Sequence, residues 1–213
     1  MTKEQKEDLK RIDKVVKNTI KQVTKKQLCK VVSNCIYEKI NNYFASAIYF
    51  VRFTDNQYIL TLRMNMKLYN YDDIFLEVFD MKDNSHQKDS LRANGAYTAP
   101  SIQWKEKTFI IADVNCIEQI CNEAVNEFKD ESRRFIETVL SDYKDFDSFV
   151  LKQEGIMDEM LLKILANINL KKYVDAESIA QSELNQGCGG RFQNKGIDIN
   201  EYVLMYCKEK KNE

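Results

Sequence analysis

A run of carboxylates in the first half of the chain offers the clearest candidates for chemistry. Asp73, Glu77 and Asp80 recur at helical spacing, so a helix would place them along one side. Oxygen ligands of this type suit a divalent cation, and these three residues are the candidate metal ligands. Asp72, Asp73, Glu77 and His86 give one alternative function, a metal- or acid-dependent enzyme. The competing interpretation, which we favour, is a solvated acidic helix face.

Other reactive side chains give less support for catalysis. His86 is the only histidine and lies in a polar loop, and the Gly-x-Ser-x-Gly motif is absent. Cys188 lies in a loop with Arg191 close by, an arrangement that can activate a thiol. The glycines that begin at Gly187 follow a helical pattern, which is typical of a helix stop and not of a phosphate-binding loop. We therefore predict that the protein is not an enzyme and needs no cofactor.

The first 30 residues are basic. They contain ten Lys or Arg residues against four acidic residues, although the whole chain has a net charge of −1. This asymmetry gives a second alternative, nucleic-acid binding through a basic N-terminal helix. No aromatic residue in the segment could stack on a base, so a solvated helix face is the favoured interpretation.

Side-chain types that are enriched at protein interfaces occur in two places. One is the polar face of a predicted strand, and the other surrounds an Asn-Gly pair near the end of a long polar loop over residues 82–96. This loop and its turn form the predicted functional surface. The candidate binding residues are Arg63, Lys67, Arg92, Asn94, Tyr97 and Trp104.

These patterns favour a non-catalytic cytoplasmic protein-binding module, for instance a bacterial inhibitor or immunity-type protein, with another protein as partner. Six cysteines lack the Cys-x-x-Cys spacing of metal or redox sites, which indicates reduced thiols. No signal peptide opens the sequence, and no apolar run approaches the roughly 20 residues of a membrane span, so no membrane association is expected.

The strand that would position the first set of binding residues has the clearest pattern in the chain. Apolar residues alternate with mostly polar ones over residues 57–69, which predicts an antiparallel strand with one face on a core. The polar face is expected to be open or partly open. The apolar positions are Tyr58, Leu60, Leu62, Met64, Met66 and Leu68.

The other elements complete an α+β prediction. Residues 3–43 read as one helix, or as two with a break near Thr24, and residues 46–53 form a strand that pairs with the first across a turn. Residues 73–81 fit a strand, but a short helix is favoured. Short strands flank the Asn94-Gly95 turn, and residues 108–111 form an edge or final strand.

The fold class is thus an N-terminal helix or helix pair packed on a small antiparallel sheet of about three to five strands, followed by a largely helical C-terminal half. Residues 157–187 are expected to form a helical hairpin that ends at Gly187. We expect regions 1–112 and 113–213 to pack as one compact unit. The oligomeric state is not predicted.

Overall fold

The structure of the protein is a computed structural model that describes residues 1–85 and 88–212. It has the predicted α+β architecture, with an N-terminal helix, a five-stranded antiparallel sheet and a mostly helical C-terminal half. The chain forms two compact units, each built from two separate stretches of sequence. The first unit comprises Met1–Met66 and Gln103–Glu137, and the second comprises Lys67–Ile102 and Thr138–Glu213.

The first unit begins with helix α1 (Lys3–Lys26). Thr2 caps it, because its hydroxyl accepts from the Gln5 amide while the Gln5 side chain accepts from the Thr2 amide. Thr24, which would cap a second helix in one of the two predicted alternatives, does not start a helix. Its hydroxyl instead donates to the Ile20 carbonyl at 2.8 Å inside the last turn.

The prediction of helix over residues 28–43 is wrong. The chain there forms β1 (Lys30–Val32) and β2 (Cys35–Ile40), joined by a two-residue turn with Ser33 at φ 50°. A second two-residue turn follows, with Asn41 at φ 52°. Short polar residues tolerate this left-handed conformation, and both faces of β2 are largely buried, so its sequence lacks the alternation of a half-exposed strand.

The predicted hairpin at the centre of the sheet is confirmed. It pairs β3 (Tyr43–Thr54) with β4 (Gln57–Leu68) across Asp55 and Asn56, which have φ of 50° and 58°. Positive φ at both central residues is the requirement of a type I′ hairpin turn. The last strand of this sheet, β5 (Ile102–Ile111), completes the order β1-β2-β3-β4-β5 and lies at its edge. The prediction of an edge strand over residues 108–111 is therefore confirmed, but the strand begins six residues earlier.

One face of the sheet carries the core of the first unit. The apolar set of β4 is confirmed in its central members, since Leu60, Leu62, Met64 and Met66 are all 0% exposed. Helix α1 lies against β1 and β3. The first part of α4 (Ile117–Asp142) is also tied to the sheet through the ion pairs that Lys105 and Lys107 make with acidic helix residues.

The second unit is built mainly from helices. Residues 71–78 are helical, which confirms the favoured prediction for this region. The helical hairpin is also confirmed, and Gly187 follows its second helix with φ 77°, in the position of a C-terminal stop. The elements are α2 (Tyr71–Val78), α3 (Asp89–Asn94), α5 (Phe146–Leu151), α6 (Glu159–Asn169), α7 (Tyr173–Asn185), β6 (Gln193–Asn194), β7 (Ile197–Asp198) and α8 (Ile199–Lys210).

One local prediction in the second unit is wrong. Asn94 and Gly95 do not form a tight turn between short strands, because Asn94 is the last residue of α3 and Gly95 follows in extended conformation. The six residues of α3 make less than two helical turns, which is too short for a periodic pattern to reveal. In the described part of the chain, no helix is both long and apolar enough to cross a membrane.

Candidate functional site

A buried lysine at the end of β4 organises the predicted binding region of the second unit. Lys67 is 3% exposed, and its Nζ donates to Asp72 Oδ1 at 2.7 Å. The same ammonium donates to the carbonyls of Arg92 and Ala99 at 3.1 and 3.2 Å. An ammonium has three donors, and here all three have acceptors. Lys67 therefore joins α2 to residues 88–100, which we call the clamped segment.

Asp72 holds the same segment from the other side. Its Oδ1 also accepts from the Ala99 amide at 2.9 Å, so one oxygen bridges the lysine and the segment's backbone. The second oxygen lies 3.7 Å from Arg92 Nη1 and makes no hydrogen bond to any described residue. Asp72 is 0% exposed in the first turn of α2, where the helix dipole also favours a carboxylate.

Arg92 anchors the middle of the clamped segment. Its Nη2 donates to Asp73 Oδ1 at 2.7 Å and to the Ser85 carbonyl at 3.0 Å, and Nη1 donates to the Tyr69 carbonyl at 3.1 Å. The guanidinium lies 4.3 Å from the centre of the Tyr69 ring. Burial opposes the charge, but the hydrogen bond to Asp73 and the fields of Asp73 and Asp72 raise the pKa of Arg92. The arginine stays charged and holds the segment against α2.

The four charges of this clamp balance. Lys67 and Arg92 supply two positive charges, and Asp72 and Asp73 supply two negative ones. Lys67, Asp72 and Arg92 are buried, and each has a counter-charge and at least one further hydrogen bond, which is the condition under which charges are tolerated in a protein interior. Asp73 is part-exposed, and two buried atoms, Asp72 Oδ2 and Arg92 Nε, have no hydrogen-bond partner among the described residues. The arrangement of the four charges fixes the position of the segment and leaves no uncompensated charge.

The other side of the clamped segment faces solvent. Leu91 is 47% exposed and Tyr97 is 37% exposed, and Asn94 is also exposed. The Tyr97 ring rests with its centre 5.9 Å from that of Phe79, which is fully buried. The segment thus presents apolar and aromatic side chains outward while its inward side is held by buried charges.

Two of the predicted binding residues are corrected by their burial. Lys67 and Arg92 are 3% and 4% exposed, so they do not belong to an open surface, because acidic partners inside the unit take up both charges. Arg63 is exposed on β4, as expected for the polar strand face. Trp104 is half-buried on β5 and stacks on Phe135 with 4.8 Å between ring centres.

Each candidate metal ligand lies beside a cation. Asp73 pairs with Arg92, as described above; Glu77 Oε1 is 3.7 Å from Lys82 Nζ, and Asp80 Oδ2 is 2.7 Å from Lys195 Nζ. Over residues 1–85 and 88–212 no group of three or more His, Cys, Asp or Glu residues is arranged to hold a metal ion. His86 lies outside the described residues.

The other reactive candidate, Cys188, is exposed beside a cavity of about 420 Å³ in the second unit. The guanidinium of Arg191 pairs with Asp158 at 2.7 Å. Both glycines that flank Cys188 lie in the connection between α7 and β6.

A second buried carboxylate was not found from the sequence. Asp147 is 4% exposed and accepts hydrogen bonds from Tyr71 at 2.6 Å and Asn169 at 2.7 Å. Burial raises the pKa of Asp147, while the hydrogen bonds from Tyr71 and Asn169 act in the opposite direction. Burial and the neighbouring carboxylate raise the pKa of Tyr71 well above its usual value. Tyr71, Asp147 and Asn169 are too far apart in sequence for their spacing to predict this hydrogen-bonded group.

Comparison with known proteins gives no relative for this fold and clamp: no family model, no curated protein and no solved structure matches the chain.

Proposed function

We propose that this protein is a non-catalytic protein-binding module whose contact surface is the outward side of the clamped segment. The observation that carries the proposal is the contrast across this segment. Arg92 and Ala99 are buried and held by charged side chains, whereas Leu91 and Tyr97 are exposed. A surface that is fixed before it meets its partner loses less conformational entropy on binding.

The exposed side chains indicate what kind of partner would fit. Tyr97 offers a large ring with a hydroxyl at its tip, and tyrosine is among the residues that contribute most to protein interfaces. Leu91 adds apolar area, and Asn94 adds an amide. We infer a protein partner with an apolar depression bordered by hydrogen-bonding groups. An inhibitor or immunity-type role would be one instance of such binding.

The ion pairs of the acidic side chains support this proposal over the enzyme alternative. Asp72, Asp73 and Asp80 each lie within 2.7 Å of a lysine or arginine nitrogen. A metal ion or a substrate proton would have to compete with these cations. In the case of Asp72 it would also have to enter a fully buried site.

The basic helix gives the nucleic-acid alternative less support. Part of its positive charge is paired along the helix, where Arg11 contacts Asp8 at 2.9 Å and Lys17 contacts Asp13 at 2.6 Å. Such pairs are typical of a solvated helix surface.

The proposal can be tested with a variant that alters only the outward side chains. Tyr97→Ala combined with Leu91→Ser removes the exposed apolar area and leaves Lys67, Asp72 and Arg92 in place. Val174→Ser is a matched control, because Val174 is 65% exposed on α7, outside the segment. Full-length protein immobilised on beads is used to capture proteins from a native extract, and each captured protein is purified and titrated by calorimetry.

We expect a partner that binds the wild type and the control equally and binds the double variant at least about tenfold more weakly. Urea unfolding of all three proteins verifies that the fold is retained. The proposal is wrong if every purified partner binds the double variant as tightly as the wild type, or if no captured protein binds in the titration.

A further inference from the structure

An exposed ion pair lies on the sheet face of the first unit that points away from the α1 core. Arg63 Nε on β4 contacts Glu106 Oε2 on β5 at 2.8 Å, and their side chains are 48% and 33% exposed. The Arg63 guanidinium also lies 5.0 Å from the centre of the Phe50 ring, which supports it from below. A guanidinium has five N–H donors and a carboxylate has two oxygens, so both side chains retain bonding capacity beyond this one contact.

Apolar side chains accompany this pair on the same face. Ile59 is four residues before Arg63, and Ile110 is four residues after Glu106. Residues four apart lie on the same face of a strand. Because β4 and β5 are antiparallel, the step back from Arg63 to Ile59 and the step forward from Glu106 to Ile110 lead toward the same end of the sheet. Ile110 is 56% exposed and Ile59 is half-buried. Each of the two strands thus carries an isoleucine and a charge at matching levels.

We propose that this face binds a second copy of the same chain in a two-fold symmetric dimer. If the axis runs between β4 and β5, parallel to the strands, each strand of one copy faces the other strand of the second copy. Arg63 of one copy then faces Glu106 of the other, and Ile59 faces Ile110, each contact occurring twice. A two-fold interface requires a patch that is complementary to itself, and this arrangement of charge and apolar area meets the requirement.

The edge of the sheet is a poorer route to a dimer. Two copies of β5 paired edge to edge about a two-fold axis would place lysine opposite lysine or Glu106 opposite Glu106 at the centre, because Lys105 and Lys107 flank Glu106. Charged residues at this position are a known protection of edge strands against self-pairing. Both lysines are also engaged by α4, through Glu131 at 2.7 Å and Glu127 at 3.2 Å.

The charge pattern allows a complementation experiment. In Arg63→Glu, two copies would present glutamate to glutamate, and in Glu106→Arg they would present arginine to arginine. A heterodimer of the two variants would again pair opposite charges between the two chains. The loss of the pair within one chain cannot be repaired by mixing, so rescue on mixing reports the contact between chains alone.

Sedimentation equilibrium at increasing protein concentration is the measurement. Because the patch covers few strands, we expect the wild type to dimerise weakly, with a dissociation constant on the order of tens of micromolar that rises with salt. Each single variant should bind itself at least about tenfold more weakly, and the equimolar mixture should recover the wild-type constant. The charge-swapped double variant and the control Lys10→Glu, an exposed position on α1, should both dimerise like the wild type.

The proposal is overturned by a wild type that stays monomeric at about 1 mM, by single variants that dimerise normally, or by a mixture that stays monomeric. Circular dichroism of each variant confirms folding. These outcomes are independent of partner binding by the clamped segment, which the variants leave unchanged.

Discussion

Lys67 and Asp72 form a 2.7 Å ion pair in which neither side chain reaches solvent, with 4% and 0% of the two side chains exposed. The two residues are only five positions apart in sequence. The ammonium of Lys67 also donates to the carbonyls of Arg92 and Ala99, and these two hydrogen bonds connect the pair to the clamped segment. Removing one partner would leave the other charge buried and unpaired, which costs folding free energy. Substitutions in the clamp should therefore have effects on stability that depend on one another.

We therefore expect Lys67→Met to lower the free energy of unfolding by about 3–5 kcal/mol, because it leaves the buried Asp72 carboxylate without its nearest cation. Lys67→Met combined with Asp72→Asn should recover part of this loss, since the remaining amide carries no charge. Urea unfolding followed by circular dichroism provides both values.

The matched control is Lys17→Met, which removes an ion pair of similar length on α1 whose side chains are 45% and 32% exposed. It should cost less than about 1 kcal/mol, the usual range for a surface pair. Equal losses for the two lysine variants would show that the clamp contributes no more than a surface contact.

Asp147 should give the protein a pH dependence of unusual sign. Because burial raises its pKa, the folded state holds the proton more tightly than the unfolded chain does. Above the ordinary value of 3.8, stability from this group therefore falls as pH rises. We compare the unfolding free energies of the wild type and Asp147→Asn at several pH values. Between about pH 4 and about pH 7, the wild type should lose stability relative to the variant.

Asp145, two residues earlier, provides the opposite case at the start of the same helix. Its side chain accepts from Ser148 at 2.7 Å, and hydrogen bonding to Ser148 lowers its pKa. A lowered pKa stabilises the fold above the unfolded value, and this contribution is lost as pH falls below it. As pH rises through about 4, the unfolding free energy of the wild type should increase relative to that of Asp145→Asn. Parallel pH profiles for the two variants would contradict the assignment.

The sequence predicted well where a single face of an element meets the core. The alternation in β4 identified Leu60, Leu62, Met64 and Met66 as buried, and the i, i+3 and i+4 spacing identified the buried face of α1. It failed over residues 28–43, because β2 is buried on both faces and its apolar residues fit helical spacing as well as strand spacing. The turn residues Ser33 and Asn41 were the signal that could have corrected it.

The candidate site could be predicted only in part, since burial of a charged side chain depends on partners far away in sequence. Tyr97 and Asn94 were placed at the surface, where the structure has them. Lys67 and Arg92 have the same polar character, but the acidic partners that draw them inward are determined by the path of the clamped segment. That path begins with a helix, α3, of only six residues.

The exposed cysteines should react with an alkylating reagent much faster than the buried ones. We expect iodoacetamide at neutral pH to label Cys116 and Cys188 in the folded protein, because these two are exposed. Burial raises the pKa of Cys121 to about 12, so this thiol lacks both access and thiolate character. Mass spectrometry should count two fast labels in buffer and six in urea. Rapid labelling of a buried thiol in buffer would contradict the packing. The four protected residues are Cys29, Cys35, Cys121 and Cys207.

Two glycines near Cys188, Gly187 and Gly190, should respond differently to the same substitution. Gly187 has φ 77°, and no atom lies within 4 Å of the place that an alanine Cβ would take, so Gly187→Ala should cost about 1 kcal/mol from the left-handed backbone alone. Gly190 has φ 94°, and a Cβ there would lie 2.3 Å from Cγ2 of Ile199, a side chain that is 1% exposed. Gly190→Ala must therefore displace the buried start of α8 as well as strain the backbone. Urea unfolding should show a loss at least about 1 kcal/mol larger for Gly190→Ala, and equal losses would mean that Ile199 moves aside freely.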